Sequence, residues 1–166
     1  MRDMDNIYSL HLLSLILERD GQLEASLESL THLSEVLERQ YEDTEDEELL
    51  RKFCAVKSDI GRVSLGLGDF EAAVENGSTA LDLSQDLQGL ERARLSSQIT
   101  VSLSYYFLGE MDNAIDMFQA VLAESDEDVD VMLLIACALW GTGGERERSI
   151  AVEQIQDWFD TFLDCK

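Results

Sequence analysis

The chain has 166 residues, about the length of one domain, and 45% of them are hydrophobic, enough for a sizeable core. With 35 Asp and Glu against 12 Lys and Arg, its formal net charge of −23 argues against direct nucleic-acid binding and against attachment to an anionic membrane surface. The absence of proline excludes collagen-like and Pro-rich chains, and no apolar run reaches the ~18 residues of a membrane span.

Helices separated by glycine turns are predicted through the first half of the chain. Apolar residues recur at helical spacing from Leu10 to Leu37, and without proline a helix can run uninterrupted. Breaks fall at Gly21 and Gly68, each followed within a few residues by acids that favour the start of the next helix. The predicted helices are 5–19, 22–40, 46–67 and 70–86.

The second half continues the same organisation. Gly109 and the stretch 141–144 mark further turns. The apolar run Val129–Leu139 is long for a strand and follows an acidic segment, so we interpret it as a buried helix. The predicted helices are 88–108, 111–124, 127–140 and 145–164. The eight helices form four antiparallel pairs in one domain, 1–166, with units over 5–40, 46–86, 88–124 and 127–164.

The spacing and content of these units resemble the tetratricopeptide (TPR) repeat family. Gly109 and Gly143 are 34 residues apart, which is the TPR period, whereas the earlier turns are more widely spaced. The second unit departs from the pattern at Gly77, where a bulky residue is usual. The third unit matches it in order at Val101, Ser102, Tyr105, Gly109, Ala114 and Phe118.

The resemblance implies an all-α fold, a right-handed TPR-like superhelix of about four helix pairs. In such an α-solenoid, small residues such as Gly61 and Ser102 let paired helices approach closely, and stacking of neighbouring units completes a core that no unit builds alone.

A narrower resemblance covers about 91–156. Segments such as Ser104–Gly109 and Ala138–Glu145 are similar to the large TPR subunit of the superkiller (Ski) complex. In that family the subunit scaffolds an RNA helicase and propeller subunits that deliver messenger RNA to the cytoplasmic exosome for 3′–5′ decay. The resemblance implies a cytoplasmic, non-catalytic scaffold with those subunits as partners and without direct RNA contact. Family members are far longer, so this chain is expected to be a fragment of a longer solenoid or a short relative.

A partner-binding groove is expected on the concave surface lined by the first helix of each pair, as is usual in TPR proteins. An aromatic-rich groove beside one arginine suits a peptide or helix. The alternative is that Tyr106 and Trp140 pack between neighbouring helices. The Lys, Asn and Arg clamp of TPR co-chaperones is absent, so a basic or apolar partner segment is expected. Counting along the repeats places in the groove Leu15, Arg62, Leu65, Ile99, Leu103, Tyr106 and Trp140.

Two acidic clusters, 42–48 and 124–130, have two interpretations. They either steer a basic partner by long-range attraction or form solvated turns whose acids begin the next helix. The second interpretation is favoured because acids commonly occupy such helix starts.

Cysteine and histidine are too sparse to indicate a reactive or metal site. Cys54, Cys137 and Cys165 lack paired spacing, which fits buried apolar positions in a reducing compartment. The first six residues lack the basic flank and apolar stretch of a signal peptide. With two histidines and no nucleophile–base arrangement, we expect no catalytic residue, no metal and no cofactor.

Two other functions remain open from the residues. One is a free-standing TPR adaptor or chaperone that binds a basic or apolar peptide of one client. The other is an acidic helical enzyme or regulator with an unrecognised site. Salt-sensitive partner binding would support an interaction protein, and a buried carboxylate pair in a pocket would support the enzyme.

Overall fold

The computed structural model describes residues 2–124, with the side chains of residues 7–121. This part of the chain is entirely helical, which confirms the all-α prediction, and it contains no strand. The helices predicted over 127–140 and 145–164 lie outside the described residues. The six helices are α1 (Arg2–Arg19), α2 (Leu23–Thr44), α3 (Glu47–Leu67), α4 (Phe70–Ser84), α5 (Glu91–Leu108) and α6 (Met111–Glu124).

Each helix packs on the helix that follows it, and α3 also packs on α5. Contact between every second helix is typical of a repeat array, where each unit touches its neighbours. Among the described helices α1 packs chiefly on α2. The first helices of the second and third pairs, α3 and α5, therefore lie side by side, and side-chain bonds connect α1 to α3.

Glycine turns follow three of these helices, with Gly21 after α1, Gly68 after α3 and Gly109 after α5. Gly68 and Gly109 have φ of +80° and +79°, a left-handed conformation that glycine adopts without strain. The amide of Gly68 donates to the Leu65 carbonyl at 3.1 Å, and the amide of Gly109 donates to the Tyr106 carbonyl at 3.1 Å. Both α3 and α5 therefore stop where the sequence predicts.

The α4–α5 connection differs from its prediction. Residues 85–90 form a loop rather than the ends of two helices, so α5 begins at Glu91. Side chains from two helices hold this loop, since Arg51 donates to the Gln88 carbonyl and Arg94 to the Ser84 carbonyl, each at 2.8 Å. These contacts compensate for carbonyls that have no helical partner.

Two apolar clusters form the core. The first joins α1, α2 and α3, and the second lies along α6 and is covered by half-buried residues of α5. The first contains Ile7, Leu30, Leu33, Leu37, Leu49, Phe53, Val56, Ile60 and Val63, and the second contains Ala114, Phe118 and Val121.

Small residues bring α3, α4 and α5 into close contact between these clusters. A Cβ atom at Gly61 would lie 3.1 Å from the backbone nitrogen of Gly77 and 3.2 Å from the carbonyl oxygen of Ala73. A Cβ atom at Gly77 would lie 2.6 Å from Cγ2 of Val101, closer than real contacts allow. The repeat pattern usually has a bulky residue at this position. Here Val101 of α5 occupies the space that such a side chain would need, which explains the glycine.

The first acidic cluster forms the turn between α2 and α3. The Asp46 carboxylate accepts from the Glu48 amide at 2.9 Å and caps α3. Glu47 and Glu48 pair along the helix surface with Arg51 and Lys52. These contacts agree with the interpretation as a solvated turn. In the second cluster, the acids after Glu124 lie outside the described residues.

One face of α1 is apolar and exposed. Tyr8, Leu12, Leu15 and Ile16 follow helical spacing and form a stripe, with Leu12 59% exposed. The buried side of the same helix carries Ile7 and packs into the first cluster. We call the stripe Tyr8–Leu12–Leu15–Ile16 the α1 outer face.

Candidate functional site

A cavity of about 770 Å³ opens on the surface shared by α1, α3 and α5, and we call it the groove. Each of the three helices presents residues three or four positions apart, which lie on one face of a helix. The Gln85–Leu90 loop closes one side with Gly89 and Leu90. The helical lining consists of His11, Leu15 and Glu18 of α1, Ala55, Ser58, Asp59 and Arg62 of α3, and Arg92, Ala93 and Ser96 of α5.

A network of charged side chains crosses the groove from α1 to α3. The Nη2 atom of Arg62 donates to Asp59 Oδ1 at 2.9 Å and to Glu18 Oε2 at 3.0 Å, while Nη1 bonds to the other oxygen of Glu18. His11 Nε2 lies 3.1 Å from Asp59 Oδ2. Arg62 is thus engaged by two carboxylates of its own chain, in the bidentate geometry that favours strong pairing.

The electrostatics of the groove differ from those of the whole chain. Burial lowers the pKa of Arg62 from its ordinary value, and the positive charge of Arg92 lowers that pKa further. Arg92 is exposed, and no ion pair engages it among the described residues. The lining carries two carboxylates against two guanidinium groups, so it is locally balanced on a chain of net charge −23.

The structure separates the predicted groove residues into four groups. Leu15, 44% exposed, and Arg62 line the groove. Leu65 is half-buried on α3 outside that lining. Trp140 lies outside the described residues. The predicted residues of α5 are half-buried against Ala114, Phe118 and Val121 of α6, and they are Ile99, Leu103 and Tyr106.

Sequence reasoning missed three charged residues of the groove, namely Glu18, Asp59 and Arg92. Glu18 and Arg62 are 44 residues apart, so no local motif links them. Helical spacing holds a partial signal, because Glu18 follows Leu15 by three positions and Asp59 precedes Arg62 by three. The position of Arg92 in the groove depends on the 85–90 loop, because that loop sets where α5 begins. The predicted helices 70–86 and 88–108 left no room for this loop.

Neither a metal-binding cluster nor a membrane span is present in the part of the chain that the structure describes. Across residues 7–121 no group of three or more His, Cys, Asp or Glu side chains is placed to hold a metal ion. Within the six helices, no stretch has the length and hydropathy needed to cross a membrane.

Two curated relatives match most of the chain, although no model of a known protein family does. Superkiller protein 3 of Saccharomyces cerevisiae is 31% identical over 163 residues, which is 95% of this chain. Superkiller protein 3 of Schizosaccharomyces pombe is 30% identical over 150 residues, which is 89% of this chain. The chain spans 11% of the length of each relative. The match extends well beyond the 91–156 region that the sequence indicated.

Solved structures show the same fold. A kinesin-light-chain-like protein of Podosopora anserina with nearly identical TPR-like repeats superposes with a TM-score of 0.53 at 18% identity, covering 91% of this chain and 93% of that one. A point variant of the same protein gives the same values. The chain is therefore a TPR-like α-solenoid and is homologous to a stretch covering 11% of superkiller protein 3.

Proposed function

We propose that this chain is a non-catalytic scaffold of a superkiller-like assembly that supports cytoplasmic 3′–5′ messenger RNA decay by the exosome. The observation that carries the proposal is the homology to superkiller protein 3 over 95% of the chain. Its partners are the helicase or propeller subunits of such an assembly. The chain itself contacts neither RNA nor membrane, because a net charge of −23 repels phosphate groups.

The fold supports the scaffold part of the proposal. TPR-like arrays present extended concave surfaces between their stacked units. Here the groove has about 770 Å³ and is lined by three helices, which suits an inserted peptide or helix.

The groove is the proposed partner site, with different roles for its residues. Leu15 offers exposed apolar area, and Arg92, which has no ion pair within the described residues, offers a charge to the partner. Arg62 acts by holding α1 and α3 at the width of the groove. Three other residues of the proposed site, Ile99, Leu103 and Tyr106, support α5 by packing against α6. The site is also proposed to include Leu65 and Trp140.

Binding of purified subunits tests the proposal. The full chain is immobilised, and the helicase and propeller subunits of the same organism are added separately. We expect one of them to bind, and the double variant Leu15→Asp with Arg92→Glu to weaken binding by about tenfold or more. Arg39→Glu on α2 is the control for the Arg92→Glu change, because it makes that same charge change at an exposed position away from the groove.

The outcomes separate the parts of the proposal. If neither the helicase nor the propeller subunit binds, the superkiller assignment is overturned. Binding that the double variant leaves unchanged overturns the groove assignment alone. Retention of one unrelated client with no superkiller subunit supports the alternative, a free-standing TPR adaptor or chaperone that binds a basic or apolar peptide.

A further inference from the structure

A second surface carries three clustered aromatic rings at the edge where the Gly68 and Gly109 turns lie. The Phe70 and Phe107 rings stack with centroids 4.9 Å apart at an interplanar angle of 16°. The Tyr106 ring meets Phe107 edge-on, with centroids 5.4 Å apart. Phe107 is 56% exposed, although aromatic side chains of this size are usually mostly buried. We call Phe70, Tyr106 and Phe107 the aromatic patch.

Acidic residues adjoin the aromatic patch in both turns. Asp69 and Glu71 flank Phe70, and Glu110 follows Gly109, and all three acids are exposed. No Lys or Arg occurs in residues 63–91 or 95–124. The only basic residues of α4 and α5 are therefore Arg92 and Arg94, at the opposite end of α5 from the patch. The patch therefore combines one exposed ring, that of Phe107, and two half-buried rings with local negative charge.

Two other aromatic rings, those of Tyr8 and Phe53, are each contacted by a lysine of the same chain. The Lys52 ammonium lies 5.3 Å from the Tyr8 ring centroid, and that of Lys57 lies 5.4 Å from the Phe53 centroid. Both are cation–π contacts made within the chain. Over the described residues, the aromatic patch has no such cation.

We propose that the aromatic patch docks an arginine-bearing segment of a partner protein. A guanidinium group is planar, stacks on aromatic faces and pairs with carboxylates, and it is more weakly hydrated than an ammonium group. An arginine of the partner stacks on the Phe107 ring and pairs with the carboxylate of Glu71 or Glu110, so it uses both the aromatic ring and the negative charge of the surface. None of Phe70, Tyr106 and Phe107 lines the cavity of the groove, and the proposal does not use the homology, so it stands independently of the superkiller assignment.

A peptide titration tests the proposal. The probes are a fluorescent peptide of alternating glycine and arginine and its lysine counterpart of equal charge, because a chain this acidic attracts any polycation. We expect the arginine peptide to bind the full chain about threefold tighter. We also expect its addition to shift the amide resonances of Gly68 and Gly109.

Matched variants locate the binding. Phe107→Leu is expected to remove the preference for arginine, whereas Leu12→Ala, which truncates an equally exposed residue on α1, retains it. Glu71→Gln weakens binding more than Glu38→Gln on α2. Circular dichroism verifies that each variant is folded, and Glu71→Gln keeps the test decisive if Phe107→Leu unfolds.

Two results would overturn the proposal. One is that the wild type binds the arginine and lysine peptides with equal affinity and that Phe107→Leu leaves both affinities unchanged. This result indicates general attraction to the acidic surface. The other is a uridine oligonucleotide that shifts Gly68 and Gly109 more strongly than the arginine peptide, which indicates a nucleic-acid surface.

Discussion

Arg62 on α3 and Glu18 on α1 form a bidentate ion pair, in which Arg62 Nη2 donates to Glu18 Oε2 at 3.0 Å. The two helices belong to neighbouring units and are not consecutive in the chain. Because α1 packs chiefly on α2, this pair is a direct connection between the first helices of two units. It also fixes the distance across the groove.

The pair should contribute measurably to stability. Its side chains are 35% and 25% exposed, so solvent screens the attraction in part, and we expect a coupling free energy of about 1 kcal/mol. The measurement is a double-mutant cycle with Arg62→Ala and Glu18→Ala, followed by urea unfolding. The pair Glu48 and Lys52, four positions apart on α3 with the Glu48 side chain 64% exposed, is the control and should show only a few tenths of that value. Equal coupling in both cycles would contradict the structural role of Arg62.

Gly77→Ala is expected to destabilise the protein by about 1–3 kcal/mol, because the added methyl group meets Val101 Cγ2 at 2.6 Å. Gly66→Ala is the matched control, since its added methyl group meets only the flexible end of Leu23 at 3.3 Å. Gly66→Ala makes the unfolded chain less flexible, so the free energy of unfolding should stay unchanged or rise slightly. Thermal unfolding of both variants checks the difference, and a neutral Gly77→Ala would rule out the tight contact.

Cys54 predicts a dependence of stability on alkaline pH. Burial raises the pKa of its thiol above the ordinary value, and the charge of Arg94 offsets this only in part. The folded protein therefore retains the thiol proton at a pH where the unfolded chain releases it. The contribution to stability is complete below about pH 8.5 and falls as the pH rises through the raised pKa.

Urea unfolding between neutral and alkaline pH measures this effect. Cys137 and Cys165 are replaced by serine in both proteins, so that Cys54 and its Cys54→Ala variant are compared directly. The free energy of unfolding should fall more steeply with pH when Cys54 is present. Parallel curves would show that the thiol does not contribute.

The α1 outer face should be replaceable without loss of stability. Leu12→Gln with Ile16→Gln changes two exposed side chains, so the free energy of unfolding is expected to stay within about 0.5 kcal/mol. Binding of a hydrophobic dye should decrease, because exposed apolar area is removed. Ile7→Ala on the buried side of the same helix is the contrasting control and should cost about 2–4 kcal/mol. A large loss in the double variant would show that this face is covered.

The helices were predictable because local chemistry sets them. Gly68 and Gly109 adopt the positive φ that ends α3 and α5, and Asp69 caps α4 by accepting from the Ala72 amide at 3.1 Å. The 85–90 loop was not predictable, because its form depends on Arg51 and Arg94 reaching it from two helices.

The groove was predictable in place but only partly in its residues. Helical counting put Leu15 and Arg62 on the surface where the cavity lies, since each helix repeats its faces regularly. It did not pair Arg62 with Glu18, because a contact across 44 residues depends on how two units stack. For Tyr106, the same spacing fits the groove and the α6 contact equally well.

The packing of each helix on its successor has a consequence for how the chain folds. Contacts between neighbours in sequence close only short loops, and proteins dominated by such contacts fold rapidly. Apolar side chains of α1 and α2 can be buried against each other as soon as both have left the ribosome. In such an array, folding can begin at any helix pair and propagate to the neighbouring pairs.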